Sequence, residues 1–258
     1  MNLVSDRRLK KSLGQNFLTD KSVVESMVYA LDLQKDDYVV EIGGGSGFVT
    51  DILLEELKSV DAKAAILELD ERFSKELEEK YEGEEIIEVI NVNVLDWLPA
   101  FLEKDTFKVI GSIPYYITSP IIHKIVKHRN EITDAVLLIQ KEVAEKITYK
   151  CPDASYLSTF IQTFYDVDIL EIVPSHLFKP EPKVDSAILK MNKIDNPLIK
   201  KSEVGKYEGF LHKGFSSPRK MLNKPFSEEL LKKASIDGSL RPQNLEIAKW
   251  IELFKTRE

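Results

Sequence analysis

The stretch Asp37–Phe48, DYVVEIGGGSGF, decides the fold. Its first half, Asp37–Ile42, is a short apolar run that reads as a buried strand. Gly43-Gly44-Gly45-Ser46-Gly47 follows, and beyond it Val49, Ile52, Leu53 and Leu57 recur at helical spacing. Strand, tight turn and helix therefore succeed one another. Outward from this unit the pattern repeats. Ala64–Leu69 reads as a second strand and Glu71–Tyr81 as a charged helix. Ile86–Asn91 and Phe107–Ile113 read as strands, the latter stopped by Pro114, with a helix over 119–128. Asp134–Gln140 is a fifth strand, Lys141–Thr148 a helix, and Val184–Met191 a late strand of clear alternation that suits an antiparallel edge. Alternating strands and helices imply an α/β fold, a mostly parallel sheet covered on both faces. From Lys193 the texture becomes helical, clearest over Ser227–Ala234 and Leu245–Phe254. Two domains are expected, 1–190 and 198–258.

Glycines at a strand–helix turn let the backbone bend sharply and approach a ligand closely. In an open α/β sheet the ligand crevice lies at the carboxyl ends of the strands. Glu68 ends the second strand, 21 residues past Gly47, where a carboxylate can accept the ribose hydroxyls of a nucleoside. The spacing is not G-x-G-x-x-G, because position 48 is Phe, and no Gly-Lys-Ser/Thr follows. A nucleoside with few phosphates or none suits such a loop, and S-adenosylmethionine has none; a turn built for packing alone is the plainer alternative.

Ser112-Ile113-Pro114-Tyr115 ends the fourth strand. A polar side chain, a stiffening proline and an aromatic ring suit work on an exocyclic adenine amine. That nitrogen's lone pair is delocalised into the ring, so the amine is a poor nucleophile. Ser112 Oγ and the Ile113 carbonyl can accept its N–H bonds and favour a pyramidal nitrogen. Tyr115 can stack on a base splayed out of its helix.

These motifs resemble the rRNA adenine N6,N6-dimethyltransferase family over nearly the whole chain. Gln15-Asn16-Phe17-Leu18, Glu41-x-Gly43-x-Gly45-x-Gly47-x-x-Thr50, Glu68-Leu69-Asp70, Gln140-Lys141-Glu142-Val143-Ala144, Leu157-Ser158 and Phe178-x-Pro180-x-Pro182-Lys183-Val184-Asp185-Ser186 occur in the family's order. The resemblance implies a Rossmann-like class I methyltransferase with a mostly parallel seven-stranded sheet and a small C-terminal helical domain. It implies S-adenosylmethionine as donor, S-adenosylhomocysteine as product and no metal. The implied donor-binding residues are Asn16, Leu18, Glu41, Gly43, Gly45, Glu68, Asn93, Val94 and Ser112. The implied catalytic group is Ser112, Ile113, Pro114 and Tyr115, with Phe178 sharing the flipped base. The family usually has Asn where this chain has Ser112, Asp where it has Asn93, and adjacent arginines where it has Ser216-Ser217-Pro218-Arg219-Lys220. The tail, with Gly214-Phe215-Ser216 and Arg241-Pro242-x-x-Leu245, looks like the branch that dimethylates adjacent adenines near the 3′ end of small-subunit rRNA. The macrolide-resistance branch, acting on large-subunit rRNA, and a catalytically weak ribosome-assembly factor are the alternatives.

Charge fits an RNA partner in its distribution rather than its total. The net charge is −7, yet residues 32–106 carry −14, and 176–224 carry +6. Arg7, Arg8, Lys10, Lys11, Lys179, Lys183, His212, Lys213, Arg219, Lys220 and Lys224 are the candidate phosphate contacts. The expected partner is small-subunit rRNA within a pre-assembled ribosomal subunit, bound by a monomer. Val109–Ile122 is uncharged but only 14 residues long and broken by Gly111, Pro114 and Pro120, so no membrane span is expected. The N-terminal stretch lacks a signal-peptide core, and the single Cys151 cannot pair within the chain; both suit the cytoplasm. His123 and His128 lie five apart, poor spacing for a shared metal, and Phe48 and Trp97 read as packing residues.

Overall fold

A computed structural model of the chain describes residues 16–96 and 106–257. Arg7, Arg8, Lys10, Lys11, Gln15 and Trp97 lie outside the described residues. The elements run in the order β1 (Phe17–Leu18), α1 (Lys21–Ala30), β2 (Tyr38–Ile42), α2 (Phe48–Val60), β3 (Lys63–Glu68), α3 (Glu71–Lys80), β4 (Ile87–Asn91) and β5 (Phe107–Ser112). Then come α4 (Thr118–Lys127), β6 (Ile132–Gln140), α5 (Lys141–Thr148), α6 (Tyr156–Gln162), β7 (Tyr165–Val173), β8 (Phe178–Lys179) and β9 (Ser186–Lys193). Three helices close the chain: α7 (Val204–Phe215), α8 (Glu228–Lys233) and α9 (Ile247–Thr256).

Seven strands form one sheet in the order β4-β3-β2-β5-β6-β9-β7, as the fold class requires. β2 runs parallel to β3 and β5, β3 to β4, and β5 to β6, while β9 is antiparallel to β6. Successive residues of β2, Val39 and Val40, are both fully buried, so each face of the sheet is covered. The strand order reverses at β2, with β3 and β4 on one side and β5 and β6 on the other, which opens a crevice at the carboxyl ends of β2 and β5. The glycine loop and Ser112 both stand at that crevice. β7 is an edge strand that carries no strong apolar run, since Asp166, Asp168 and Glu171 face outward.

The chain divides into two compact units, the described parts of 1–144 with Asp168–Asn192, and of Glu145–Val167 with 193–258. The second unit thus includes 145–167, which the sequence reading placed in the first domain. The reason is aromatic packing. Phe164 meets Tyr207 edge-on with ring centroids 6.3 Å apart, and Tyr207 meets Phe254 at 5.0 Å. Thr163 Oγ1 and Tyr207 Oη share a 3.1 Å hydrogen bond inside this core. Trp250, fully buried, lies over Gly214, where a Cβ would come within 2.4 Å of the indole.

Gly111 controls how closely β2 and β5 approach beside the crevice. A Cβ there would sit 2.6 Å from Ile42 O and 3.0 Å from Ile113 Cδ1. The first of these is backbone held in the sheet, so it cannot swing away. Gly111→Ala is therefore expected to destabilise the protein by about 1–3 kcal/mol, the usual scale for forcing atoms into a packed interior. Urea unfolding followed by circular dichroism checks this.

Candidate active site

The glycine loop is folded by contacts on both sides. Gly43, Gly45 and Gly47 have φ of +80°, +52° and +77°, backbone that side chains disfavour. A Cβ on Gly45 would lie 2.9 Å from the Phe17 ring, and one on Gly44 only 2.5 Å from Ile66 Cγ2. Tyr81 Oη, just past α3, donates to Asp51 Oδ1 at 2.8 Å and contacts Gly47 O at 3.2 Å. Lys80 Nζ reaches the same carboxylate at 2.7 Å, so α3 braces the start of α2.

Glu68, at the end of β3, accepts Gly45 N–H at 2.8 Å through Oε2 and Asp70 N–H at 2.7 Å through Oε1. Burial raises its pKa, and the two backbone hydrogen bonds oppose that rise. Each oxygen keeps a further lone pair for a ligand hydroxyl. Asp70 caps α3 and pairs with Arg72, whose Nη2 lies 2.6 Å from Oδ2.

Glu41 does not line the cleft. Its carboxyl is buried behind the loop, where Oε2 accepts Thr50 Oγ1 at 2.8 Å and Oε1 has no partner among the described residues. Desolvation pushes its pKa up to about 8. The protonated form of Glu41 therefore prevails below that pH.

On β4's side the wall is the turn Asn93–Asp96. Asn93 Oδ1 accepts Leu95 N–H at 3.0 Å, and Asn93 O accepts Asp96 N–H at 2.9 Å. The amide oxygen expected to face a ligand thus already holds one bond, and one lone pair is left. Lys124 Nζ, from α4, donates to Leu95 O and clamps the turn from outside.

The acceptor end begins where β5 stops. Ile113 N–H bonds to Leu138 O at 3.0 Å, and Pro114 leads into a single 3₁₀ turn, Tyr115–Ile117, closed by Ile117 N–H to Pro114 O at 3.1 Å. Tyr115 Oη and Ser186 Oγ are 2.8 Å apart. Phe178 arrives from β8, which pairs antiparallel with β1 so that Leu18 opposes Phe178 and Phe17 opposes Lys179. Thr19 fastens this ribbon, donating its N–H and its Oγ1 to Leu177 O at 2.9 and 2.8 Å.

One cleft joins all these parts, with about 1150 Å³ of space including its open mouth. Of the sequence-predicted set, Asn16, Leu18, Gly43, Gly45 and Glu68 line it, as do Asn93, Val94 and the run from Ser112 to Tyr115 with Phe178; Glu41 alone does not. Phe48, read as packing, also lines it, and so do Phe17, Tyr116, Leu138 and Ser186. Phe17 and Ser186 lay inside quoted motifs, and only the β1–β8 and β6–β9 pairings show where they point. No Lys or Arg is among the described lining residues, and Glu68 is their only acid. Such walls repel phosphate and suit an uncharged or cationic nucleoside, so the residues present fit S-adenosylmethionine. No group of three or more His, Cys, Asp or Glu side chains is placed to hold a metal among the described residues, and no described helix is long and apolar enough to cross a membrane.

The family model for ribosomal RNA adenine dimethylase matches residues 6–257. The chain belongs to this family. Membership makes it an rRNA adenine dimethyltransferase by class, with S-adenosylmethionine as the family's methyl donor. Among curated relatives, the ribosomal RNA small subunit methyltransferase A of Sulfurihydrogenibium sp. (strain YO3AOP1) is 36% identical over 95% of each chain. That of Persephonella marina is 32% identical over 96% of this chain and 93% of its own. Among solved structures, a dimethyladenosine transferase from Plasmodium falciparum superposes with a TM-score of 0.81 at 25% identity, covering 92% of this chain and 95% of that one. The 23S rRNA methyltransferase ErmE gives 0.74 at 28% identity, covering 93% and 98%.

Two expectations follow for the site. Glu41 gains protons on folding between its ordinary pKa of 4.5 and about 8. Its contribution to stability is therefore fully present below the lower value and falls as pH rises to the higher one. Glu41→Gln removes that fall, so the variant's stability relative to the parent should climb by up to about 1.4 kcal/mol per pH unit across this window, measured by denaturant melts at several pH values. Lys124→Met, which keeps the aliphatic stem, should weaken S-adenosylhomocysteine binding about three- to tenfold in calorimetry while sparing the fold.

Proposed function

We propose that this protein transfers methyl groups from S-adenosylmethionine to N6 of adenines near the 3′ end of small-subunit rRNA, two per adenine, during subunit maturation. The observation that carries the reading is the single cleft. One end is a glycine-loop cradle whose described residues include a lone carboxylate and no cation, and the other is the Ser112–Tyr115 turn. The names of the curated relatives support the small subunit as substrate.

When bound, S-adenosylmethionine supplies an electrophilic methyl group on a sulfonium. The chain supplies placement. Glu68 receives the ribose hydroxyls and Asn93 the adenine edge, with Asn16, Leu18 and the glycine loop around the rest. Ser112 Oγ and Ile113 O accept the N–H bonds of the target amine and turn its lone pair toward the donor end. Ser112 presents a hydroxyl that both accepts and donates, so it serves an amine with two, one or no N–H groups. The amine loses its proton on transfer, and positioning provides most of the rate. Tyr115 and Phe178 enclose the base and exclude water.

Exposed His212, Lys213, Arg219, Lys220 and Lys224 of the helical unit, and exposed Lys179 and Lys183 beside Phe178, are the phosphate contacts of this reading. The partner is a pre-assembled small subunit in the cytoplasm, met by a monomer, with S-adenosylhomocysteine as product and no metal required.

Immature small subunits from cells lacking the modification, incubated with methyl-labelled donor, should acquire label in adenines of their rRNA. Ser112→Ala should lower kcat about tenfold, the scale of one lost hydrogen bond to the reacting group. Binding without label would favour an assembly factor, and label confined to large-subunit rRNA would favour the other branch.

A further inference from the structure

Tyr115 is held at both ends. Its backbone sits in the 3₁₀ turn that Pro114 starts, closed by the bond from Ile117 N–H to Pro114 O. Its phenol oxygen lies 2.8 Å from Ser186 Oγ. Ser186 is fully buried, opposes Gln140 in the β6–β9 ladder and lines the cleft. The residue before it is fixed as well. Asp185 O accepts Lys141 N–H at 3.0 Å, and Asp185 Oδ1 accepts Ser175 N–H at 3.0 Å, three residues before Phe178. The strand that carries Ser186 is thus tied to the sheet and to the turn that delivers the second aromatic ring.

We infer that Ser186 is a positioning residue that fixes the tilt of the Tyr115 ring, so that Tyr115 works by its face alone and donates nothing to the target amine. The inference rests on the adenine-methylating reading of this cleft. A phenol ring has two torsions: a bond at Oη, which lies on the ring's own axis, fixes where the ring points, and the preference of the phenol O–H for the ring plane resists turning about that axis. With Oη committed to Ser186, the ring offers a flat wall at one angle, and stacking a base on it requires no reordering at the moment of binding. Burial raises the Tyr115 pKa, consistent with a phenol that keeps its proton. The two residues are 71 positions apart, one on the strand tip that carries the acceptor oxygens and one on the antiparallel edge of the sheet. The bond therefore couples the angle of the base to the seating of β9.

The test compares Tyr115→Phe, Ser186→Ala and the double variant with the parent protein. Each single change is expected to lower kcat/KM for immature small subunits about three- to tenfold, the effect of one net hydrogen bond. The double variant should be no worse than the poorer single one, because all three lack the same bond. Affinity for S-adenosylhomocysteine, read by calorimetry, should stay within about twofold of the parent. A crystal structure of Ser186→Ala should show the Tyr115 ring turned from its parent position or spread over several. Losses that multiply in the double variant, an unaltered Ser186→Ala rate, or an unmoved ring overturn the assignment. A Ser186→Ala protein that has lost S-adenosylhomocysteine affinity also overturns it, since that marks a general collapse of the cleft. If the parent itself labels no rRNA, the methyl-transfer reading fails, and the ring position in Ser186→Ala still decides whether the serine holds it.

Discussion

Two backbone N–H groups, those of Gly45 and Asp70, converge on the carboxylate of Glu68. This pair of bonds joins the turn after β2 to the tip of β3, and the rest of the site is arranged around it. The loop can take that path only because Gly43, Gly45 and Gly47 accept left-handed backbone. In turn the carboxylate is held at a fixed angle inside a wall from which other charge is absent. Burying a charge is costly unless it is hydrogen-bonded, and here the bonds come from the backbone itself. Among the described residues, a wall so built offers acceptors for hydroxyl groups and no cation to grip a triphosphate.

The second organising feature is long-range. β1 and β8 are only two residues each, yet they bring Asn16 and Leu18 beside Phe178, with Phe17 set against Gly45. Phe17 also meets the Phe73 ring at 5.6 Å, so the ribbon rests on α3. The same short ribbon lines both the glycine-loop end of the cleft and the end at the Ser112–Tyr115 turn. Lys124 makes a comparable link in the other direction, since α4 begins at the acceptor turn and holds Leu95 on the donor side. The two ends of the cleft are not independently built.

The central strands could be read from the sequence because they are buried on both faces and appear as apolar runs ended by glycine or proline. β7 could not, because Asp166, Asp168 and Glu171 interrupt its pattern at the sheet edge. β1 and β8 are too short to show any period. The second compact unit takes in 145–167, upstream of the helical segment 198–258 read from the sequence. Phe160 and Phe164 gave no local sign that Phe160 stacks edge-on against Phe164 and Phe164 against Tyr207. At the site, spacing located the glycine turn, Glu68 and Ser112. It did not reveal which way a side chain faces, so Glu41 was assigned to the ligand although it points behind the loop. The Tyr115–Ser186 contact has no local signature, since it exists only once β9 is paired with β6.

The described walls of the cleft lack lysine and arginine, whereas the helical unit displays several on its surface. The methyl donor and the polynucleotide are consequently retained by different physics. Dissolved cations compete with exposed lysines for phosphate, whereas the described cleft holds no lysine or arginine for them to displace. Rising ionic strength therefore weakens contacts made through those exposed cations far more than contacts made within the described cleft.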